Sequence, residues 1–318
     1  MCIRDRYEYI NTETDGYFKL RTEDLAGNIL TDERIEEQKS NSRQFLLFGI
    51  GSSYKPNENT ELYGNFSQNF RAINFNDIRV NVGALVVDPN LEDEKGFTVD
   101  LGLRGNLKGI LNYDFSLFYL AYKNRIGNIL KREPNPNFNN LVDRIIRFRT
   151  NVADADIFGF ESFVEVDLFK LSRINFPRTR LSIFGNLALL NATYANSLEN
   201  GIEGNEVELV PPYNLKTGLN FEWNNFTVTY QYALVGEHFS DASNAIRTPS
   251  AIEGLIPTYH VMDLSFSYQY KFLKLESGIN NLTNNFYFTR RATGYPGPGI
   301  IPSDGRSFYV TLEIKVFK

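Results

Sequence analysis

Apolar and polar positions alternate with a period of two through most of this chain. In its last stretch Phe308, Val310, Leu312, Ile314 and Val316 alternate with Tyr309, Thr311, Glu313 and Lys315. One face is then apolar and the other mixed, the pattern of a strand. Before it, Gly278 to Tyr287 leads outward into a Gly/Pro-rich loop, Gly294 to Gly299, that returns through Gly305-Arg306 and accommodates no helix. The alternation recurs upstream. Leu46, Phe48 and Ile50 lead through Lys55 to Asn59 into Leu62, Gly64, Phe66 and Phe70, a hairpin with a short turn. Phe97, Val99, Leu101 and Leu103 alternate with Thr98, Asp100, Gly102 and Arg104, and a tight connection at Lys108 to Leu111 leads to Tyr113, Phe115, Leu117, Tyr119 and Ala121. Phe158, Phe160, Val164, Val166 and Leu168 follow, then Leu181, Ile183, Leu187 and Leu189. The clearest pair is Tyr213 to Trp223 with Phe226 to Leu234, joined by Asn224-Asn225, which predicts a two-residue hairpin. Met262, Leu264, Phe266, Tyr268 and Tyr270 complete the series before a turn at Lys271 to Lys274.

Between these strands lie polar segments expected as long loops: Asn11 to Arg43, Arg71 to about Asp93, Gly127 to about Ala153, Asn196 to Asn205 and Asp241 to Pro257. About a dozen strands are predicted, the first incomplete. After Gln44 their connections alternate short and long. Up-and-down transmembrane barrels have this arrangement, with short turns on the periplasmic side and long loops outside. A strand of roughly ten residues is long enough to cross a bilayer when tilted, whereas sandwich strands are shorter. Tyr213, Trp223, Tyr259 and Phe272 stand at strand ends, where aromatic girdles would sit.

Composition narrows the class. The 318 residues include 26 Phe, 18 Tyr, 23 Gly, 1 Trp and 2 Met, a mixture suited to strands and turns. Mean hydropathy is −0.31, and the longest apolar run, Phe45 to Ile50, is far too short for a membrane helix. Alternating barrel strands carry only a weak hydropathy signal, so the average leaves a β membrane protein open. A net charge of −5 supplies no basic field for nucleic acid. The single Cys2 excludes an intrachain disulfide framework. Met1 to Arg6 has no apolar h-region and runs directly into Tyr7-Glu8-Tyr9-Ile10. It is no signal peptide, and the chain reads as a fragment whose first six residues are not native.

The stretch Gly278 to Tyr287 followed by Gly305-Arg306-Ser307-Phe308-Tyr309-Val310-Thr311-Leu312 resembles the C-terminal end of TonB-dependent outer-membrane receptors. Leu62 to Arg71 resembles a mid-barrel strand of that family, and Asp88 to Glu94 the loop after it. The loop Thr289 to Pro302 is most similar to the ferric dicitrate and siderophore receptor branch. Thr283 and Asn284 stand where the family more often has Phe and Asp, and Lys318 takes the place of a terminal aromatic. The resemblance implies an all-β, antiparallel, up-and-down transmembrane barrel, here partial, with about 11–12 of about 22 strands. Residues 1–318 would form a single C-terminal part of the barrel, without its signal, plug and first strands. It implies a Gram-negative outer membrane and active import of ferric citrate or a related siderophore. The ferric chelate would be a transported ligand, with no permanently bound cofactor. The implied partners are the TonB-ExbB-ExbD complex, acting through the missing N-terminal part, outer-membrane lipid and the barrel assembly machinery. A passive porin or adhesin barrel, an outer-membrane enzyme barrel and a soluble carbohydrate-binding β protein are the alternatives. A plug encoded upstream would favour the importer.

Candidate chemistry is sparse. His238 and His260 are the only histidines and have no clustered partners for a metal. His238, Ser240 and Asp241 are the residue types of a triad, but strand neighbours point to opposite faces, so no nucleophile or enzyme is expected. Glu92-Asp93-Glu94 and Asp154 with Asp156 could hold a hard cation, although solvated charge at a loop base is the better explanation. Arginine suits carboxylate recognition through paired N–H groups and a charge that never titrates. The outer loops offer Arg71, Arg79, Arg144, Arg147, Arg149, Arg247, Arg290 and Arg291. Arg79 and Arg247 lie deep in their loops, so the candidate ligand-binding residues are Arg71, Arg144, Arg147, Arg149, Arg290 and Arg291. Arg147 and Arg149 share one face, and with Arg290 and Arg291 they stand near strand tops. Pairing with loop carboxylates such as Asp143 or Asp304, or contact with anionic surface lipid, is the competing explanation.

Overall fold

The computed structural model describes residues 1–24, 26–74, 77, 85–135, 143–197, 199–247, 254–291 and 299–315. Twelve strands form one antiparallel meander, each paired with its predecessor and successor along the path. They are β1 (Cys2–Glu23), β2 (Ile29–Asn57), β3 (Thr60–Arg71), β5 (Glu94–Leu107), β6 (Leu111–Pro134), β7 (Asp143–Asp167), β8 (Thr179–Tyr194), β9 (Tyr213–Trp223), β10 (Phe226–Val235), β13 (Tyr259–Tyr270), β14 (Leu273–Asn280) and β17 (Ser307–Ile314). The short β4 (Leu85–Val87) lies parallel to β7. Two small ladders sit in outer loops, β11 (His238–Phe239) with β12 (Leu255–Ile256) and β15 (Phe288–Arg291) with β16 (Ile300–Pro302). Among the described residues the sheet is open, with β1 and β17 each paired on one side only.

The register aligns the apolar positions into one continuous band. Across successive strands Leu101 stands beside Leu117, Leu117 beside Phe160, Phe160 beside Leu189, and further on Ile183 beside Leu219 and Leu219 beside Tyr230. Tyr230 then meets Leu264, Leu264 meets Ile279 and Ile279 meets Phe308. Leu101, Leu117, Leu189, Leu219 and Phe308 are all exposed. A water-facing sheet would not tolerate an apolar band this wide, whereas a barrel turns such a face to lipid.

The opposite face is polar and internally bonded. Tyr63 donates to Asp114 (2.9 Å), Asn65 to Asp100 (3.2 Å), Asn220 to Glu222 (2.8 Å) and Thr229 to Asn220 (2.9 Å). Arg180 pairs with Glu165 at 2.7 Å. Glycines on this face make room for rings of neighbouring strands. A Cβ on Gly218 would lie 2.2 Å from the Tyr230 carbonyl oxygen and 2.7 Å from the Phe184 ring, so only glycine fits there.

The connections from β2 to β3, β5 to β6, β9 to β10 and β13 to β14 lie at one end of the sheet and are two or three residues long. Asn224-Asn225 forms the expected two-residue turn, with Trp223 opposite Phe226 and Asn224 at φ 51°. Lys271-Phe272 turns likewise, with Lys271 at φ 52°. Of the segments expected as loops, residues 11–23, 29–43, 127–134 and 143–153 are instead strand. β1 and β2 remain paired as far as Glu23 opposite Ile29, and β6 and β7 as far as Pro134 opposite Asp143. Ladder bonds come from the backbone, so a strand that has left lipid needs no strict apolar alternation. Hydropathy therefore marks only the part of each strand that crosses lipid. Arg79, the tip of the loop at residues 292–298, and Val316, Phe317 and Lys318 lie outside the described residues.

Two substitutions test the facing. In the full-length protein refolded into lipid vesicles, Leu219→Arg should cost about 2–4 kcal/mol if near the midplane, while Asn220→Arg should be tolerated; equal costs would contradict it. Gly218→Val should cost about 1–3 kcal/mol by overpacking, read as a lowered urea midpoint of the same refolding.

Candidate functional site

The long connections gather at the end opposite the turns, and their bases are tied by charge. β3 ends at Arg71, beyond which Asn74 and Asp77 close a turn on each other. The Asp77 N–H donates to the Asn74 carbonyl (2.9 Å) and the Asn74 N–H to Asp77 Oδ2 (2.9 Å). Asp77 is fully buried. It accepts from Arg71 Nη2 (2.9 Å) and from Arg149 Nε (2.7 Å) and Nη2. Arg71 also donates to Glu94 (3.0 Å), which in turn accepts the Ile126 N–H (2.8 Å). One carboxylate thus joins the end of β3 to the ribbon of β6 and β7. Burial pushes the Asp77 carboxyl up, but the Asn74 amide, Arg149 and Arg71 outweigh it and hold it below the usual carboxylate range.

β7 rises past the end of β8, where Tyr194 is opposite Ala155. β4 covers the edge left free there, Leu85 to Val87 pairing with Arg147 to Arg149. Ile73, Val87, Ile126 and Ile146 are buried around this crossing. A second apolar cluster of Val152, Ala155, Ile157, Ala192, Tyr194 and Val207 lies under the connection from β8 to β9. At its margin Glu208 takes Arg125 (3.5 Å) and the Tyr194 hydroxyl. Burial, then the Glu208 charge, pushes that phenol up. Beside Ile73, Arg43 pairs with Asp93 at 2.6 Å, both nearly buried.

The six candidate arginines do not form one site. Arg71 and Arg149 meet at Asp77, with Arg147 two positions from Arg149 on the same strand. Arg144 pairs with Glu133 at 2.6 Å, further along the ribbon. Asp143 is instead near Arg132, at 3.9 Å. Arg290 and Arg291 belong to β15, in a different loop. Arg290 is exposed, and Arg291 donates to the Leu255 carbonyl (3.1 Å) and lies over the Phe288 ring. The acidic residues considered for a cation serve the rim. Asp93 accepts from Arg43 and the Ile73 N–H, Glu92 from Asn124, and Asp156 from Tyr119. Among the described residues no group of three His, Cys, Asp or Glu is placed to hold a metal. His238 is buried with Nδ1 2.8 Å from the Gly236 carbonyl, and His260 stacks on Tyr232.

Sequence reasoning missed Asp77, Arg125, Glu208 and the pair of Arg43 with Asp93. The turn formed by Asn74 and Asp77 is a local signal. Nothing local links Asp77 to Arg149.

A family model described as TonB dependent receptor-like, beta-barrel, matches residues 6–282. A comparison with curated proteins finds none that matches. Solved structures do match. The ferric citrate transporter FecA in its unliganded form aligns with 98% of this chain and 42% of its own, at 19% identity and TM-score 0.68. The ferric yersiniabactin uptake receptor FyuA from Yersinia pestis aligns over the same shares at 17% identity and TM-score 0.69. The copper transporter OprC aligns over 98% of this chain and 45% of its own at 14% identity and TM-score 0.70. The chain therefore spans less than half the length of these structures, and at such identities the likeness is one of fold.

The Asp77 knot predicts a pH dependence. A carboxyl whose folded pKa is depressed contributes stability above its unfolded value of about 3.9 and loses it as pH falls through the lower folded value. Exchange protection of the Asn74 amide should therefore hold at neutral pH and fail only below about pH 4. Asp77→Asn should cost the knot about 3 kcal/mol, the low end for breaking a buried pair, because Arg71 and Arg149 keep some water. That corresponds to about 100-fold faster exchange of the Asn74 amide at pH 7.

Proposed function

The chain belongs to the TonB-dependent receptor-like β-barrel family, and from that premise we propose that it is the C-terminal part of the barrel of an energised iron-chelate importer. The match over residues 6–282 carries this reading. Proteins similar in fold include a ferric citrate transporter and a ferric yersiniabactin uptake receptor; these are transporters and receptors and not enzymes. The importer resides in the outer membrane of a Gram-negative bacterium and is energised by TonB with ExbB and ExbD through a plug ahead of residue 1. Outer-membrane lipid surrounds its apolar band, and the barrel assembly machinery inserts it. The transported ligand is a compact anionic ferric chelate such as ferric citrate, held by arginines of several loops.

The geometry supports a division of labour among those arginines. Asp77 occupies donors of Arg71 and Arg149, and Glu133 occupies Arg144, which favours a role in ordering the rim. We assign the chelate contacts to Arg147 of β7 and to Arg290 and Arg291 of β15, because they bring cations from two different loops. Arginine forks match carboxylates in pairs, and donors from two loops are what a compact polycarboxylate chelate needs.

Titration calorimetry of ferric citrate with the full-length receptor tests this. Arg147→Ala, Arg290→Ala and Arg291→Ala should each weaken binding by about 1.5–3 kcal/mol, as expected for hydrogen bonds to charged groups. Arg144→Ala should leave binding unchanged. Unaltered binding in the triple Arg147, Arg290 and Arg291 variant would overturn the assignment.

A further inference from the structure

The connection between β7 and β8 differs from the other short turns. It runs for eleven residues between Asp167 and Thr179, opens with one helical turn, Leu168–Leu171, and is capped by the Asp167 side chain, which accepts the Lys170 N–H at 3.0 Å. From Leu171 to Arg178 every residue is exposed, including Leu171 at 58%, Ile174 at 45% and Phe176 at 55%. These side chains are held rather than frayed. Phe176 meets Phe169 edge-on with centroids 5.4 Å apart, and the Ile174 N–H donates to the Phe169 carbonyl (2.8 Å). The segment carries Lys170, Arg173 and Arg178 but no Asp or Glu. Lys170 turns back to the Gly109 carbonyl (3.1 Å) and to the Asp167 carboxylate (3.6 Å), while Arg173 and Arg178 make no ion pair among the described residues.

We propose that this connection is an interfacial anchor for an anionic phospholipid surface. Two observations select lipid as the occupant. The patch is continuous with the lipid-facing band: Thr179, two residues after Pro177, lies opposite Trp223, and the Asn224 N–H donates to the Arg178 carbonyl (2.8 Å). Trp223, Tyr268, Tyr270 and Phe272 form an exposed aromatic girdle at this same end, the level at which lipid headgroups meet acyl chains. The charge is also complementary. Apolar side chains interleaved with cations and free of carboxylates suit insertion among phosphate-bearing headgroups. The anchor fixes the height of the barrel at its turn end, independently of which ligand the loops take.

A nitroxide in place of Ile174 tests the proposal in the full-length receptor, with Cys2→Ser removing the native thiol and the protein held in phosphatidylglycerol-rich vesicles. Ile174→Cys carrying the label should be several-fold more accessible to oxygen than to a water-soluble nickel chelate, as should Leu219→Cys in the band. Glu58→Cys, in the turn between β2 and β3, should show the reverse. The preference at Ile174 should fall in pure phosphatidylcholine vesicles and on replacing Arg173 and Arg178 with Gln. Nickel access at Ile174 equal to that at Glu58, or exclusion of both reagents by a covering protein, overturns the anchor. A preference indifferent to lipid charge and to both arginines overturns the anionic assignment. A nickel-accessible label at Leu219 would instead count against the membrane facing itself.

Discussion

An unpaired backbone N–H or C=O in hydrocarbon costs several kcal/mol, and no water is present to relieve it. That constraint explains the continuous ladder from β1 to β17, the absence of any crossover along its path, and the confinement of every insertion to the ends of strands. Side-chain packing is secondary here. Many of the largest apolar residues, such as Leu101, Leu117 and Phe308, are exposed, and the fully buried ones, Ile146, Val152 and Val207 among them, lie at the rim. The sheet is organised by hydrogen bonds through the bilayer and by a conventional core only where its strands leave it.

The rim solves a different problem. Long ribbons and loops outside the membrane share only small apolar clusters, so their crossings must also be fixed by other contacts. Alternating charges do this: Arg149, Asp77, Arg71 and Glu94 form one run, and Arg125, Glu208 and Tyr194 another nearby. Buried pairs of this kind add little net stability relative to apolar packing, but removing one partner is costly. They therefore specify an arrangement more than they strengthen it. An arginine used in such a knot, as Arg71 and Arg149 are, has fewer donors left for a ligand.

Much of the fold was legible in the sequence because the membrane imposes a period of two on each strand, with side chains alternating between faces. Phe97 to Arg104 and Tyr213 to Trp223 show it without a break, and Asn224-Asn225 announces its hairpin. Where strands continue into water the period disappears, so Asn11 to Arg43 and Gly127 to Ala153 read as loops although the backbone ladder runs on. The candidate site was less legible. Arginines at strand tops are visible in the sequence, but their partners are set by how loops cross, and the distance in sequence from Asp77 to Arg149 offers no pattern to follow. The amphipathic run from Leu168 to Arg178 was not legible, because its apolar residues gain significance only from the girdle beside it.

One face of this sheet meets lipid and the other a polar lumen. A nitroxide walked residue by residue along β8 from Ser182 to Asn191, in the full-length receptor in lipid vesicles, tests it most directly. Oxygen accessibility should oscillate with a period of two, peaking at Ile183, Leu187 and Leu189 and falling at Ser182, Phe184 and Asn186. A flat profile, or peaks at the polar positions, would contradict the account.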